Sequence, residues 1–260
     1  MEQKSIVKAL AACLLMAGTP AFAANVVHTI GWTVNNPDSS SSRGASVTAT
    51  SVEYLPESGV FQSKSGTVGA GEFDVSLNGS PTFEAICTDI FHSLSFGKNY
   101  SDWTISTAAT LYTDERAKAL GKLWTLAHDG AGNDSHQSNA KSAAFNLAVW
   151  EIVYESSRDS GGKLVFNLGA GAFKGSNSAT SVAQGWLNDI QDPSKTIAVT
   201  SLYALHSIGG PSYWKDGKYI DGTITQDLLT PVPEPETYAM FLAGLGMMGA
   251  VARRRGARKA

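Results

Sequence analysis

The chain alternates apolar and polar positions over its first third and switches to a helical period in the middle. Val26 to Ile30, Ser46 to Tyr54, Gly59 to Phe61 and Phe73 to Leu77 read as strands, and Phe83 to Ile90 is the most apolar of them. Turn chemistry separates these runs at Asn36-Pro37-Asp38, Pro56 to Gly59, Gly69-Ala70-Gly71 and Asn78-Gly79. The serine run Ser39 to Ser42 reads as a loop. From Asp114 the period changes. A helix capped by Asp114 is expected to run to about His128, with Leu120, Leu123, Trp124 and Ala127 on one face and Gly130 beyond its end. A second, amphipathic helix spans about Ala140 to Glu155, and a third runs from about Ala179 to Ile190 and stops at Asp192-Pro193. Lys163 to Leu168 reads as a further strand, and strand character returns at Thr196 to Leu205 and Thr223 to Leu229. Strands, then three helices, then strands imply an α+β fold: an antiparallel β sandwich or barrel core with an inserted three-helix subdomain at about 114–191.

The two ends follow other rules. Lys4 and Lys8, the apolar stretch Ala9 to Gly18 and the small-x-small site Ala21-Phe22-Ala23 make residues 1–23 a signal peptide, cut by signal peptidase after Ala23. Residues 24–230 then form the secreted domain, and 231–260 a separate tail. In that tail Val232-Pro233-Glu234-Pro235 is held extended, because proline fixes φ and lacks a backbone donor. An uncharged run from Thr237 to Ala252 follows, with Gly244, Gly246 and Gly249, and reads as a short C-terminal membrane helix. Arg253-Arg254-Arg255 would stay on the cytoplasmic side. The three parts in this order resemble the PEP-CTERM sorting signal of Gram-negative envelopes. The resemblance implies export through the inner membrane and transient anchoring there. It further implies cleavage near the Pro-Glu-Pro by an exosortase-type membrane protease, and delivery to the cell surface or extracellular matrix.

Removing both ends changes the charge. The full chain has 20 basic and 23 acidic residues. Loss of Lys4, Lys8 and Glu2 with the leader, and of five basic residues and Glu236 with the tail, leaves 13 basic and 21 acidic residues. An acidic domain has no electrostatic footprint for nucleic acid. Of the two cysteines, only Cys87 survives, so no intramolecular disulfide forms.

Two stretches bear on chemistry. Phe83 to Asp89 is a strand carrying Cys87, and Ala143 to Glu151 opens a helix carrying Asn146 and Trp150. Together they resemble the thioester-domain pattern of bacterial surface adhesins, in which a strand cysteine and a helix glutamine form an internal thioester. Asn146 stands in the glutamine position and is shorter by one methylene, about 1.5 Å of reach. The resemblance therefore implies a degenerate, structural pair, with a covalent Cys87–Asn146 adhesin as an alternative. By composition alone a lone apolar-strand cysteine is a small buried hydrophobe. Trp103 and Trp214 lie outside the helices and are candidates for stacking on sugar rings in an exopolysaccharide-binding module. A triad of Cys87 with His92 or His128 and Asp89 can be drawn, but Asp89 would raise the thiol pKa rather than activate it. No nucleophile elbow, phosphate loop or zinc spacing is present, and the histidines are scattered at 28, 92, 128, 136 and 206. The expectation is a non-enzymatic surface or biofilm-matrix protein with no cofactor and no metal, partnered by the sorting protease and by exopolysaccharide or the envelope surface.

Overall fold

A computed structural model describes residues 25–33, 43–53, 61–79, 82–130, 134–207, 213–215, 218–220 and 225–231. Within them the fold is a mixed α+β with antiparallel sheets and four helices. The strands are β1 (Asn25–Trp32), β2 (Gly44–Glu53), β3 (Phe61–Gly69), β4 (Glu72–Leu77), β5 (Phe83–Cys87), β6 (Asn99–Thr107), β7 (Phe173–Ser176), β8 (Leu202–Ser207), β9 (Tyr213–Lys215), β10 (Lys218–Ile220) and β11 (Leu228–Pro231). The helices are α1 (Ala108–Leu111), α2 (Asp114–Ala127), α3 (Asn139–Tyr154) and α4 (Thr180–Gln191), with a 3₁₀ turn at Ser135–Gln137. Six strands pair antiparallel in the cyclic order β1-β4-β5-β11-β8-β6. A three-stranded sheet, β3-β2-β7, and the hairpin β9-β10 complete the description.

Strand β2 shows how residue pattern becomes register. Ala45, Val47 and Ala49 point inward at period two, but the next buried residue is Val52, which is out of phase. A bulge between Ala49 and Val52 absorbs the extra residue, with Ser51 in the left-handed region at φ 50° and its N–H donating to Ser63 Oγ at 2.9 Å. The phase change in the sequence is thus converted into a local twist, and all four side chains reach the core.

Helix α2 keeps the expected stripe, and Thr113 rather than Asp114 is its cap: the Thr113 hydroxyl accepts from Arg116 N. Helix α3 departs from expectation. Every residue except Asn139 and Lys141 is buried, so it is not amphipathic but central. It packs against α2 and α4, against β2 and β7 on one side and against β4 and β5 on another. The helical stretch is consequently no separate subdomain. β7 lies inside it and pairs with β2, and one hydrophobic core runs through helices and sheets together.

Other expectations shift for identifiable reasons. Lys163 to Leu168 makes only an isolated bridge, Arg158 with Leu164; Val165 N donates to the Ser157 carbonyl, and side chains take other backbone N–H groups: Leu164 by Glu115, Phe166 by Gln191 and Leu168 by Gln184. β6 was hidden by its polar start. Its anchor is Trp103, 1 % exposed and paired with Ser207 of β8, so Trp103 is a core residue and no sugar platform. The Trp214 side chain, the leader with Ala21 and Ala23, the Ser39 to Ser42 loop and the segment 232–260 lie outside the described residues. Among the described residues no helix is long and apolar enough to cross a membrane.

Candidate functional site

The strand cysteine and the helix amide are brought together. Asn146 Nδ2 donates to the Cys87 carbonyl at 2.8 Å, and its Oδ1 accepts from Gly71 N at 3.0 Å. One turn earlier, Ser142 Oγ accepts from Glu72 N at 2.9 Å. Residues four apart share a helix face, so Ser142 and Asn146 hold two consecutive amides at the start of β4 while Asn146 also grips the end of β5. The site is built by side chains that replace ladder partners where the strands leave the sheet.

Cys87 is 3 % exposed, and its thiol donates to the Asp89 carbonyl at 3.1 Å. Burial pushes the thiol pKa well up, and the Asp89 carboxylate raises it further. A thiol held in this way is a poor nucleophile. His92 does not activate it: the imidazole Nδ1 lies 2.6 Å from Asp89 Oδ2. Around this strand end Tyr112 donates to Thr88 Oγ1 at 2.7 Å, Tyr154 donates to the Thr88 carbonyl at 3.0 Å, and Gln226 Nε2 donates to the carbonyls of Asp89 and His92. A cleft of about 480 Å³ opens beside it, lined by Lys64, Ile90, Phe91, His92, Trp150 and Gln226.

A second constellation was not anticipated from sequence. Glu72 (β4), Glu84 (β5), His128 (the residue capping the C-terminal end of α2) and His136 (the 3₁₀ turn) place one ligand-type atom each within 4.8 Å of all the others. The β4–β5 register pairs Glu72 with Ile86 and Asp74 with Glu84, which makes the two glutamates diagonal neighbours on one face. His128 Nε2 lies 2.7 Å from Glu72 Oε1 and 3.7 Å from Glu84 Oε2. His136 Nε2 lies 2.7 Å from Glu84 Oε1 and 3.9 Å from Glu72 Oε1. Burial pushes the Glu72 pKa up. Burial acts the same way on Glu84, but its hydrogen bonds to His128 and His136 outweigh it and hold this carboxyl low. His128 is pushed up to about 10: burial opposes its charge, and the bonds to Glu72 and Glu84 prevail.

The ring of His128 is held by three neighbouring groups. Its Nδ1 is 2.9 Å from the Trp124 carbonyl, Trp124 stacks on it at 4.6 Å, and Phe145 meets it edge-on at 5.2 Å. The only sequence signal for this cluster is His128 at a helix end, and nothing local connects it to Glu72.

The other sequence feature lies at the end of the chain. Residues 231–255 match the PEP-CTERM protein-sorting motif. That motif implies an exosortase-sorted protein with an extracellular or surface location. No curated protein and no solved structure matches the chain. The thioester resemblance accordingly gains no support from these comparisons, and the Asn146 carboxamide is occupied by two backbone groups.

Proposed function

We propose that this chain is a non-enzymatic component of the envelope surface or of the biofilm matrix. In this reading it is exported behind its leader and held by its C-terminal segment, and an exosortase-type protease releases it near Val232-Pro233-Glu234-Pro235. The observation that carries the reading is the sorting motif at 231–255, which begins at Pro231, the last residue of the final described strand β11. The non-enzymatic part is supported by Cys87, a buried thiol whose neighbours favour its protonated form. It is supported also by Asn146, whose amide ties β4 to β5.

The test is an intact mass of the mature protein recovered from its native host. The expected mass lacks residues 1–23 and ends close to Pro235. A protein that keeps its tail through Arg253-Arg254-Arg255 refutes the sorting step. An exopolysaccharide partner is tested separately, by co-sedimentation of the mature protein with polysaccharide from the same host. Co-sedimentation no greater than that of an unrelated acidic protein refutes a matrix role through sugar binding.

A further inference from the structure

We propose that Glu72, Glu84, His128 and His136 form a binding site for one divalent transition-metal ion, zinc being the best fit, which pins α2 and the 3₁₀ turn to the β4–β5 pair. Three observations carry this.

The first is geometry. Zinc bonds to nitrogen and oxygen are about 2.0–2.2 Å, so tetrahedral ligand atoms stand about 3.4 Å apart. The imidazole-to-carboxylate contacts here are 2.7 Å for His128–Glu72 and for His136–Glu84, 3.7 Å for His128–Glu84 through the other Glu84 oxygen, and 3.9 Å for His136–Glu72, which bracket that value. One ligand atom from each residue lies within 4.8 Å of the other three. The two 2.7 Å contacts need to open by about 0.7 Å to reach that spacing, which movement at the side-chain ends supplies.

The second is an unsatisfied acceptor. Glu72 is fully buried; its Oε1 accepts from Ser135 Oγ at 3.0 Å and faces His128, while its Oε2 has no hydrogen-bond partner among the described residues. A buried carboxylate oxygen without a donor is costly and suits a cation. Metal binding takes both imidazoles in their neutral form and releases any proton they hold, and the two ionised carboxylates then carry two negative charges, which one divalent cation cancels. Arg43 is within Coulombic range of Glu72, but its guanidinium donates to Asn139 Oδ1 at 2.7 Å rather than to the cluster.

The third is the outer layer. The His128 Nδ1–Trp124 carbonyl contact is the arrangement that fixes a ligating histidine with Nε2 free to face a metal. His136 is held by its own backbone N–H donating to Asp134 Oδ1 at 2.8 Å.

Donor chemistry selects the ion. Two imidazoles disfavour magnesium and calcium, which take oxygen ligands, and the absence of a thiolate disfavours copper(I). Two nitrogens and two carboxylate oxygens fit zinc, with cobalt as its spectroscopic substitute. The role follows from placement. The exported chain has one cysteine and thus no internal disulfide, and a metal joining β4, β5, α2 and the 3₁₀ turn supplies a cross-link of comparable reach.

The experiment uses the full chain purified in detergent, stripped with chelator and titrated with zinc chloride. One equivalent is expected to bind and to raise the thermal midpoint by about 5 °C or more at saturating metal. Cobalt is expected to give the visible absorption of a four-coordinate site. His136→Ala and Glu84→Gln, both at partly exposed positions, should weaken zinc binding roughly tenfold or more, whereas His28→Ala should not. Failure to take up zinc or cobalt stoichiometrically overturns the proposal. So does uptake that His136→Ala and Glu84→Gln leave unchanged.

Discussion

Replacing Asn146 with alanine separates a structural clamp from a reactive pair. The substitution removes one acceptor and one donor in a place where neither partner can turn to water. Gly71 N loses its 3.0 Å bond and the Cys87 carbonyl its 2.8 Å bond, beneath a helix whose residue 146 is 1 % exposed. Each buried backbone group left unpaired costs about 1–3 kcal/mol, so a destabilisation of about 2–5 kcal/mol is expected. For a domain of this size each kcal/mol moves the midpoint by about 2–4 °C, which places the loss at roughly 5–20 °C. The assay is thermal unfolding of wild type and Asn146→Ala under matched conditions. It is paired with iodoacetamide labelling of Cys87 before and after denaturation, and with an intact mass. The clamp requires a thiol that labels only on unfolding and a wild-type mass with no ammonia missing. The reasoning is refuted if Asn146→Ala unfolds within about 2 °C of wild type. It is equally refuted if the wild-type thiol stays unlabelled after denaturation with the mass short by one ammonia.

Two further outcomes follow from the core. Glu151 is fully buried, with Oε2 lacking a hydrogen-bond partner among the described residues, and burial pushes its pKa up to about 8 from 4.5 despite the bond from Asn167 N. A raised carboxyl favours the folded state most below pH 4.5, and that contribution is lost as pH rises through about 8. Glu151→Gln should therefore flatten the stability profile over this window and gain about 3–5 kcal/mol above pH 8; a profile unchanged by the substitution in a pH series of denaturant melts refutes the assignment. Gly121 sits where α2 meets the segment leading to β8: a Cβ there would lie 2.7 Å from Val199 Cγ1 and closer still to the Thr200 carbonyl oxygen. Gly121→Ala should thus lower stability by about 1–3 kcal/mol despite alanine's better helix propensity, and a rise in thermal midpoint would show that the segment moves aside freely.

What could be read from the chain was what is encoded locally. The tail motif is contiguous, since extended prolines, an uncharged run and arginines act in order along the sequence, and no fold is needed to recognise it. Helices α2, α3 and α4 came within a residue or two of their bounds, because period and stop signals are matters of three to five neighbouring residues. β1, β2 and β4 were legible from alternation and turn residues for the same reason. Strand order, by contrast, depends on which edges meet, and no local pattern states that β11 inserts between β5 and β8.

Tertiary packing also decided what the residues are for. Helix α3 was expected to bury one face, but sheets on two sides and helices on others leave it none to solvent, so Asn146 and Ser142 became backbone clamps. Trp103, polar-flanked in sequence, became core because its strand closes against β8. Glu72, Glu84, His128 and His136 belong to four separate elements, and only strand register and a helix end bring their charges together. Sequence separation hides such a cluster because its energy comes from Coulomb interaction and desolvation, which depend on distance and burial in space and not on spacing along the chain.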